Sequence, residues 1–487
     1  MTPMRELLEP DSIAVVGASA SPGKSGYILL KNLLDHGFPG RLYPVNPSAD
    51  TVLGLRAYPS ISALPEPPDV VFIVVPREHV LDVVRQCETR KVRAVVIVSA
   101  GFAEVGGAGA ILEAEIRQIL ARSGIRAIGP NTVGFANAGR KLVASFVPFP
   151  RWIDGSVALA GQSGLFAGGL LHELMAREVQ SPGMRLAVSF GNKIDLDEVD
   201  FLEHASRDPE IRVIALHLES LKRPREFFDL ARRVALERPV IVLKSGRTAA
   251  GARAAASHTG ALAVEDRVLE GAFRQANIVR ASNVEEFLAF IRSFAWAPVP
   301  DGGRIGVLTH SGASGVIAAD EIDEAGLSLA SLGKTTTDRI AALLPSWQPV
   351  GNPADVWTGV GGAARRLLEV PLMALLDDPG VDAVLGVLLA LPATDFAELA
   401  EVFGEARRRH PRKPIFLVLY GSDVKERWLR TLGGLEIPVE SDTRLPIRAI
   451  RAMVDYDRRR RRRSVEGAEN AEAARGRAPG ALTGGAP

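Results

Sequence analysis

Cysteine is almost absent from this chain of 487 residues, with Cys87 as its single example, so no intramolecular disulfide and no thiolate metal cluster can form. No apolar stretch approaches the ~20 residues that span a bilayer, and the first residues lack the apolar core of a secretory signal. The formal net charge of +1 gives no support to a nucleic-acid partner. These absences predict a cytoplasmic protein with no membrane span, no nucleic-acid partner and no metal site of its own.

What the chain does have is an alternation of short apolar runs and longer helical segments. Runs such as "DVVFIVVP" and "PVIVLKSG" are rich in valine, isoleucine and leucine and do not alternate with polar residues. That pattern is typical of strands buried on both faces of a parallel sheet. We therefore predict an α/β protein with parallel sheets, and the length predicts about three domains.

Two parts of the chain repeat each other. The segment "VALAGQSG" at Val157 parallels "IGVLTHSG" at Ile305, and "GNKID" at Gly191 parallels "GNPAD" at Gly351. Their order agrees and their spacing agrees roughly, so they are interpreted as two copies of one α/β unit. His310, within the second copy, is given no role.

The chain is predicted to divide into four segments. The first is a separate α/β domain, and the next two are the copies of the repeat. The last begins with six arginines and continues without periodicity, which favours a disordered tail. Their predicted bounds are residues 1–135, 136–297, 302–457 and 458–487.

A glycine-rich loop follows the first predicted strand, in "SIAVVGASASPGKSGY", and could bind a phosphate. A nucleotide P-loop is disfavoured because Pro22 removes a backbone donor and no later strand ends in the aspartate that helps to hold Mg²⁺. An NAD site is disfavoured because Ser19 replaces the second glycine and Asn46 stands where an acidic residue would bind the ribose. Two interpretations stay open: backbone amides and Lys24 that hold a phosphate at a helix N-terminus, or a plain turn with a solvated lysine.

His258 is the most promising chemical group, because it lies between a small-residue loop and a predicted helix that starts near Gly260. Backbone N–H groups and the positive end of a helix suit a group that becomes phosphorylated. Its neighbours Ser257, Thr259 and Gly260 offer hydroxyls and close backbone approach. The plain alternative is a solvated loop histidine.

Two strand ends could complete a site around His258. One strand ends at Gln162, Ser163 and Gly164 and leads at once into a helix, which forms a second helix start that can hold a phosphate. Another strand ends at Glu219, whose carboxylate could hold one imidazole nitrogen and leave the other free as a nucleophile. By position alone, the two could also be a tight turn and an ordinary exposed glutamate.

Several motifs together resemble those of one known family. They are "SIAVVGAS", "YPVNP", "SAGFAE", "GPNTVGF", "SFGNKIDLDEVDFLEH" and "AAASHTGALA". They are similar to motifs of the nucleoside-diphosphate-forming acyl-CoA synthetases, which include the ADP-forming acetate–CoA ligases and are related to succinyl-CoA synthetase. The resemblance covers about residues 5–455. It implies a Rossmann-like CoA-binding domain followed by two flavodoxin-like parallel-sheet ligase domains.

The resemblance also implies roles for particular residues. The first domain would bind coenzyme A across the carboxyl ends of its strands, His258 would be phosphorylated, and Glu219 would orient it. The residues expected to bind CoA are Gly17, Ser19, Pro22, Lys24, Asn46, Val75, Pro76, Ser99 and Asn131. Those expected around the phosphoryl group are Gln162, Ser163, Gly164, Ser257, Thr259 and Gly260. The implied reaction joins an acid to CoA as ATP is cleaved to ADP and phosphate.

One part of the family pattern has no counterpart in this chain, because no segment remains for an ATP-grasp domain. The resemblance then implies that ATP or ADP and Mg²⁺ bind to an ATP-grasp subunit on another chain, in a homo- or hetero-oligomer that acts on a small carboxylic acid. The alternative is a non-catalytic sensor or scaffold that binds CoA or acyl-CoA, and a nicotinamide oxidoreductase is disfavoured. The pairing of His258 with Glu219 favours the enzyme.

Overall fold

The computed structural model describes most of the chain as three parallel sheets with connecting helices. The described residues are 2–164, 170, 173–174, 180–251, 253, 265–357, 364–390, 396–421 and 424–476.

Strands and helices alternate along most of the described chain. The described strands are β1 Ser12–Val16, β2 Arg41–Val45, β3 Thr51–Val52, β4 Leu55–Arg56, β5 Val70–Ile73, β6 Ala94–Ile97, β7 Arg126–Ile128, β8 Gly134–Asn137, β9 Leu142–Ser145, β10 Val157–Gly161, β11 Met184–Ser189, β12 Val213–Leu218, β13 Val240–Lys244, β14 Val279–Ala281, β15 Arg304–Thr309, β16 Ser328–Leu329, β17 Ala354–Asp355, β18 Ala383–Leu389, β19 Ile415–Tyr420 and β20 Val439–Glu440. The described α-helices are Arg5–Leu8, Ser25–Asp35, Arg77–Thr89, Gly107–Ser123, Glu198–Ser206, Pro224–Val234, Asp266–Gln275, Val284–Trp296, Gly312–Glu324, Lys334–Ala341, Ala364–Asp377, Phe396–Arg409, Lys425–Gly434 and Arg444–Gly476.

The first sheet has the strand order β2-β1-β5-β6-β7, and all of its strands are parallel. The strands β1, β5 and β6 are buried along their whole length, as their unbroken apolar sequence predicts. A small hairpin of β3 and β4 lies in the connection between β2 and β5. Parallel strands bring all five carboxyl ends to one edge, which is where sheets of this kind bind ligands.

The second and third sheets share that order, as two copies of one α/β unit would. The parallel part of the second sheet reads β11-β10-β12-β13-β14, and the third reads β16-β15-β18-β19-β20, with β17 also paired to β15. In each unit the second strand lies outside the first, and the others follow on the opposite side. This is the flavodoxin-like order. The predicted α/β class with parallel sheets is confirmed.

The first boundary between units lies close to the predicted residue 135, but the sheet pairing moves it slightly. The strand β8 begins at Gly134 and pairs antiparallel with β11, and β9 pairs on the outer side of β8. These two strands therefore extend the second sheet rather than the first. The Nδ2 of Asn137 donates to the backbone oxygen of Leu8 at 3.0 Å, so the start of the chain contacts this extension.

The last helix corrects the prediction of a disordered tail. It runs through the six arginines and ends at Gly476. Arginine is a good helix former, and the run has partners: Arg459 donates from Nε to Oδ1 of Asn277 at 2.8 Å, and Arg461 pairs with Asp457 one turn earlier. The prediction is therefore wrong for residues 458–476, and residues 477–487 lie outside the described part.

Two further features of the described residues concern membrane spanning and thiol chemistry. None of the helices among them is both long and apolar enough to cross a bilayer. The single cysteine, Cys87, is fully buried in the helix Arg77–Thr89, and burial raises the pKa of its thiol. A buried thiol of raised pKa is a poor nucleophile, so Cys87 is a packing residue.

Candidate active site

The strand ends of the first sheet gather the residues expected to bind CoA. Those directly beyond the five carboxyl ends are Gly17, Ser19, Asn46, Val75, Pro76, Ser99 and Asn131. Pro22 and Lys24 lie exposed on the loop that leads from β1 into the helix Ser25–Asp35. The fold thus brings all of the predicted CoA-binding residues to one edge of the sheet.

The loop after β1 is too tight for any residue but glycine at two positions. Gly17 has φ +91°, and a Cβ built on it would lie 2.1 Å from the backbone oxygen of Val74. A Cβ on Gly26 would lie 2.1 Å from the backbone oxygen of Gly17. The loop therefore lies directly against the loop after β5 and against its own helix, and its bare backbone permits close approach by a ligand.

Side chains of the neighbouring strand end hold this loop in place. Asn46 donates from Nδ2 to the backbone oxygen of Ala18 at 2.7 Å, and Ser19 accepts a backbone N–H from within the loop at 3.1 Å. Lys24 lies exposed at the N-cap of the following helix. An anchored loop, a helix N-terminus and an exposed lysine are suited to a nucleotide phosphate, so these residues fit CoA.

In the second sheet, Gln162 ties two strand ends together. It is 7% exposed, and its Oε1 accepts the backbone N–H groups of Glu219 at 3.2 Å and of Ser220 at 3.0 Å. The ends of the adjacent strands β10 and β12 are thereby fixed side by side. These contacts give Gln162 a supporting role for the turn that carries Glu219. Ser163 and Gly164 follow Gln162 in the chain, at the same edge of the sheet.

The other half of the predicted site is Ser257, His258, Thr259 and Gly260, and it lies outside the described residues. The chain that leads to it leaves the second sheet at the carboxyl end of β13, which pairs with β12. The segment with His258 therefore starts from the edge where Glu219 lies. The pairing of His258 with Glu219 stays a prediction.

A buried ion pair, not predicted from the sequence, supports the Glu219 turn. The Nζ of Lys193 lies 2.8 Å from Oε2 of Glu198 and 2.7 Å from the backbone oxygen of Ser220, and neither charged side chain is exposed. Oε1 of Glu198 accepts the backbone N–H of Lys222 at 3.2 Å. The sequence holds one signal for this pair, which is the lysine of "GNKID" where the second copy, "GNPAD", has proline.

The residue before Lys193 connects this region to the CoA-binding unit. Asn192 donates from Nδ2 to Oε2 of Glu104 at 2.6 Å and to Oε2 of Glu113 at 3.0 Å. Glu104 in turn accepts the backbone N–H of Gly101 at 2.6 Å, in the loop after β6. Hydrogen bonds therefore join the carboxyl edge of the first sheet to the loop that supports the Glu219 turn.

The third unit repeats the geometry of Gln162 with a histidine. The pairing of β10 with β12 and of β15 with β18 makes Gln162 equivalent to His310, and Glu219 equivalent to Leu389. The Nδ1 of His310 accepts the backbone N–H of Leu389 at 3.4 Å, as Oε1 of Gln162 accepts that of Glu219. His310 thus holds the end of β18, and this copy has no acid at the place of Glu219.

Family models match all three units. A CoA binding domain matches residues 11–138, a succinyl-CoA ligase like flavodoxin domain matches residues 154–294, and a Ligase-CoA domain matches residues 305–450. The alpha subunit of ADP-forming acetate–CoA ligase II from Pyrococcus furiosus is 35% identical over 430 residues, which are 87% of this chain and 92% of the relative. The chain belongs to the ADP-forming acetate–CoA ligase family.

One solved structure and one longer relative also match this chain. An acetyl-coenzyme A synthetase 1 from Ca. Korarchaeum cryptofilum, described as dinucleotide forming and solved with phosphate and ADP, has a TM-score of 0.85 and 35% identity and covers 94% of this chain and 97% of its own. ADP-forming acetate–CoA ligase II from Archaeoglobus fulgidus is 37% identical over 388 residues, which are 80% of this chain but 57% of that relative. The expected family and a CoA-binding first domain are confirmed.

His217, beside the Glu219 turn, makes the stability of this ligase-family chain depend on pH. It is 2% exposed, its Nε2 lies 2.8 Å from Oγ of Ser245, and burial lowers its pKa, against the opposing charge of Glu219. The unfolded state therefore binds more protons below about pH 6.5, and stability is lost as the pH falls through that value.

We expect His217→Asn to remove up to about 1.4 kcal/mol of that loss per pH unit, because asparagine does not titrate. The measurement is the free energy of urea unfolding of both proteins at about pH 7 and about pH 5.5. An identical loss on acidification in the two proteins would contradict the assignment to His217.

Proposed function

We propose that this chain is the CoA-binding, phosphohistidine-bearing subunit of an ADP-forming acyl-CoA synthetase. The observation that carries the proposal is the match to an alpha subunit, which covers 87% of this chain and 92% of the relative. A chain that corresponds to an alpha subunit over nearly its full length is expected to do the work of one. The name of that relative, an alpha subunit, implies a second subunit, and we propose a second chain for this protein as well.

The geometry around Glu219 supports a phosphohistidine at His258. Glu219 lies at the carboxyl edge of the second sheet on a turn that is held by Gln162 and Lys193. A rigidly placed carboxylate can bind one nitrogen of an imidazole, orient the ring and raise the basicity of the other nitrogen. In the proposal, the oxygens of the phosphoryl group are held at the helix starts that the sequence predicts near Ser163 and Thr259.

The proposed reaction runs through His258 in three transfers. An oxygen of phosphate attacks the thioester carbonyl, the C–S bond breaks, and CoA leaves as its thiol after taking up a proton. The imidazole of His258 then attacks the phosphorus of the acyl phosphate, so that an N–P bond forms while the P–O bond breaks and the carboxylate leaves. An oxygen of ADP finally attacks the same phosphorus, which forms ATP and frees the histidine. The reverse order makes a thioester from acid, CoA and ATP.

The last transfer is assigned to a partner. We propose an ATP-grasp subunit that binds ATP or ADP with Mg²⁺ and forms a hetero-oligomer with this chain. The acid is a small carboxylic acid, and acetate is the first one to test because the matched relatives are named for it. The proposal places the complex in the cytoplasm, where CoA and adenine nucleotides are available.

Turnover is therefore expected to need two chains. The purified chain and a candidate ATP-grasp subunit are each mixed with acetyl-CoA, phosphate, ADP and Mg²⁺, separately and together, and ATP and free thiol are followed over time. Equal amounts of ATP and CoA should appear in the joint mixture alone. Binding of CoA without ATP formation in any mixture, over several acyl-CoAs, would instead favour the sensor or scaffold.

A further inference from the structure

We propose that Lys193 is a positioning residue whose buried ammonium group fixes the turn that presents Glu219. This rests on the proposed function, in which Glu219 orients His258. Lys193 touches no reacting atom in that scheme. It acts through the backbone of Ser220 and through Glu198.

The ammonium group of Lys193 contacts both the turn and its support. It donates to the backbone oxygen of Ser220 at 2.7 Å and to Oε2 of Glu198 at 2.8 Å, in complete burial. Glu198 uses Oε1 to accept the backbone N–H of Lys222 at 3.2 Å, so one ion pair holds the chain at two points just after Glu219. A buried ion pair is weak evidence for added stability. The effect that we assign to this pair is therefore that it fixes the turn.

The backbone of Lys193 adopts a conformation that is unfavourable for a lysine. Its φ is +57°, in the left-handed region where a Cβ is unfavourable and glycine or asparagine would be easier. Lys193 has this backbone conformation and its ammonium group is completely buried. We attribute its presence here to the contacts that the ammonium group makes with Ser220 and Glu198.

The third unit provides an internal comparison. In sequence, the counterpart of "GNKID" is "GNPAD", which has Pro353 where the first copy has lysine. In the structure "GNPAD" leads into β17, whereas "GNKID" follows β11. The equivalent of Glu219 is Leu389, and the third unit nevertheless forms the same strand order. The shared strand order therefore forms in a unit whose motif lacks the lysine. In this chain the lysine occurs in the copy that has the acid to be positioned.

The test uses acetyl phosphate as the phosphoryl donor, because it reaches His258 without CoA. Lys193→Met is expected to slow phosphorylation of His258 on the order of 100-fold, since a shift of about 1 Å in an orienting group has that effect. The affinity for CoA, measured by calorimetry, should not change. Lys193→Met/Glu198→Gln removes the uncompensated buried charge, so its melting temperature should recover while its phosphorylation rate stays low.

A second buried ion pair serves as the matched control. Nη2 of Arg292 lies 2.8 Å from Oε1 of Glu440, and both side chains are 4% exposed, far along the chain from the Glu219 turn. Arg292→Met should lower the melting temperature and leave the phosphorylation rate unchanged. Equal slowing in Arg292→Met, or a rate that recovers in the double variant, would overturn the proposal, because the lysine would then act through stability alone.

Amide hydrogen exchange separates this proposal from the proposed function. The N–H groups of Glu219, Ser220 and Lys222 should exchange faster in Lys193→Met/Glu198→Gln, while the amide of Leu389 in the third unit should not change. Unchanged exchange at the Glu219 turn would refute the positioning role whatever the enzyme does. Faster exchange in a chain whose wild type takes up no phosphoryl group would keep Lys193 as the support of the turn and refute the proposed reaction instead.

Discussion

Replacement of His258 by asparagine is expected to abolish ATP formation by the two-chain mixture, with a rate at least about 10⁴-fold lower. Asparagine is close to histidine in size and polarity, but its amide nitrogen is not nucleophilic, so no N–P bond can form. The affinity for CoA should stay the same, because the predicted CoA residues lie at the edge of the first sheet. Initial rates of ATP formation and CoA titrations check the two halves of this expectation.

His410 offers the matched control for that variant. It lies before β19, at the amino end of the third sheet, and its Nε2 is 3.1 Å from Oδ1 of Asp377. His410→Asn should leave ATP formation near the wild-type rate. Retention of ATP formation by His258→Asn would mean that phosphate reaches ADP by a route that does not use this histidine.

Substitution of Gly17 by alanine is expected to weaken CoA binding on the order of 100-fold, or by ~3 kcal/mol. The added Cβ would lie 2.1 Å from the backbone oxygen of Val74, so the loop after β1 would have to move away from the strand ends that form the CoA edge. The positive φ of +91° at Gly17 adds a further cost for any residue with a Cβ. Calorimetric titration of the variant with CoA measures the loss.

Gly37→Ala separates the steric effect of the added Cβ from the effect of a positive φ. Gly37 has φ +72° after the helix Ser25–Asp35, and nothing lies within 4 Å of a Cβ built there. The variant should lose roughly 1–2 kcal/mol of stability through the left-handed conformation and keep its affinity for CoA. Similar affinities for Gly17→Ala and wild type would show that CoA does not depend on the shape of this loop.

The parts of the fold that follow from local sequence could be predicted well. Buried parallel strands read as unbroken apolar runs. The likeness of "GNKID" to "GNPAD" helps to reveal the repeat in the sequence, although the first follows β11 and the second leads into β17. The edge that collects Gly17, Asn46 and Asn131 also follows from the chain alone, since every parallel strand must end there.

The remaining features depend on contacts that no local pattern reports. The ion pair of Lys193 and Glu198 supports the Glu219 turn through the backbone oxygen of Ser220, which lies 27 residues after Lys193 in the chain. In the sequence the arginine run is typical of a solvated tail. In the structure Arg459 donates a hydrogen bond to Asn277, at a separation of 182 residues. The role of His310 is visible only through the register of β15 with β18. Each is fixed by which elements become neighbours in the folded chain.

The most direct test of the account is the mass of the chain after incubation with acetyl-CoA and phosphate, followed by mapping of the modified peptide at neutral pH. The account predicts one acid-labile phosphoryl group per chain on the peptide that contains His258, and none on His258→Asn. An unmodified chain that still binds CoA, or a phosphoryl group carried by another residue, would contradict it.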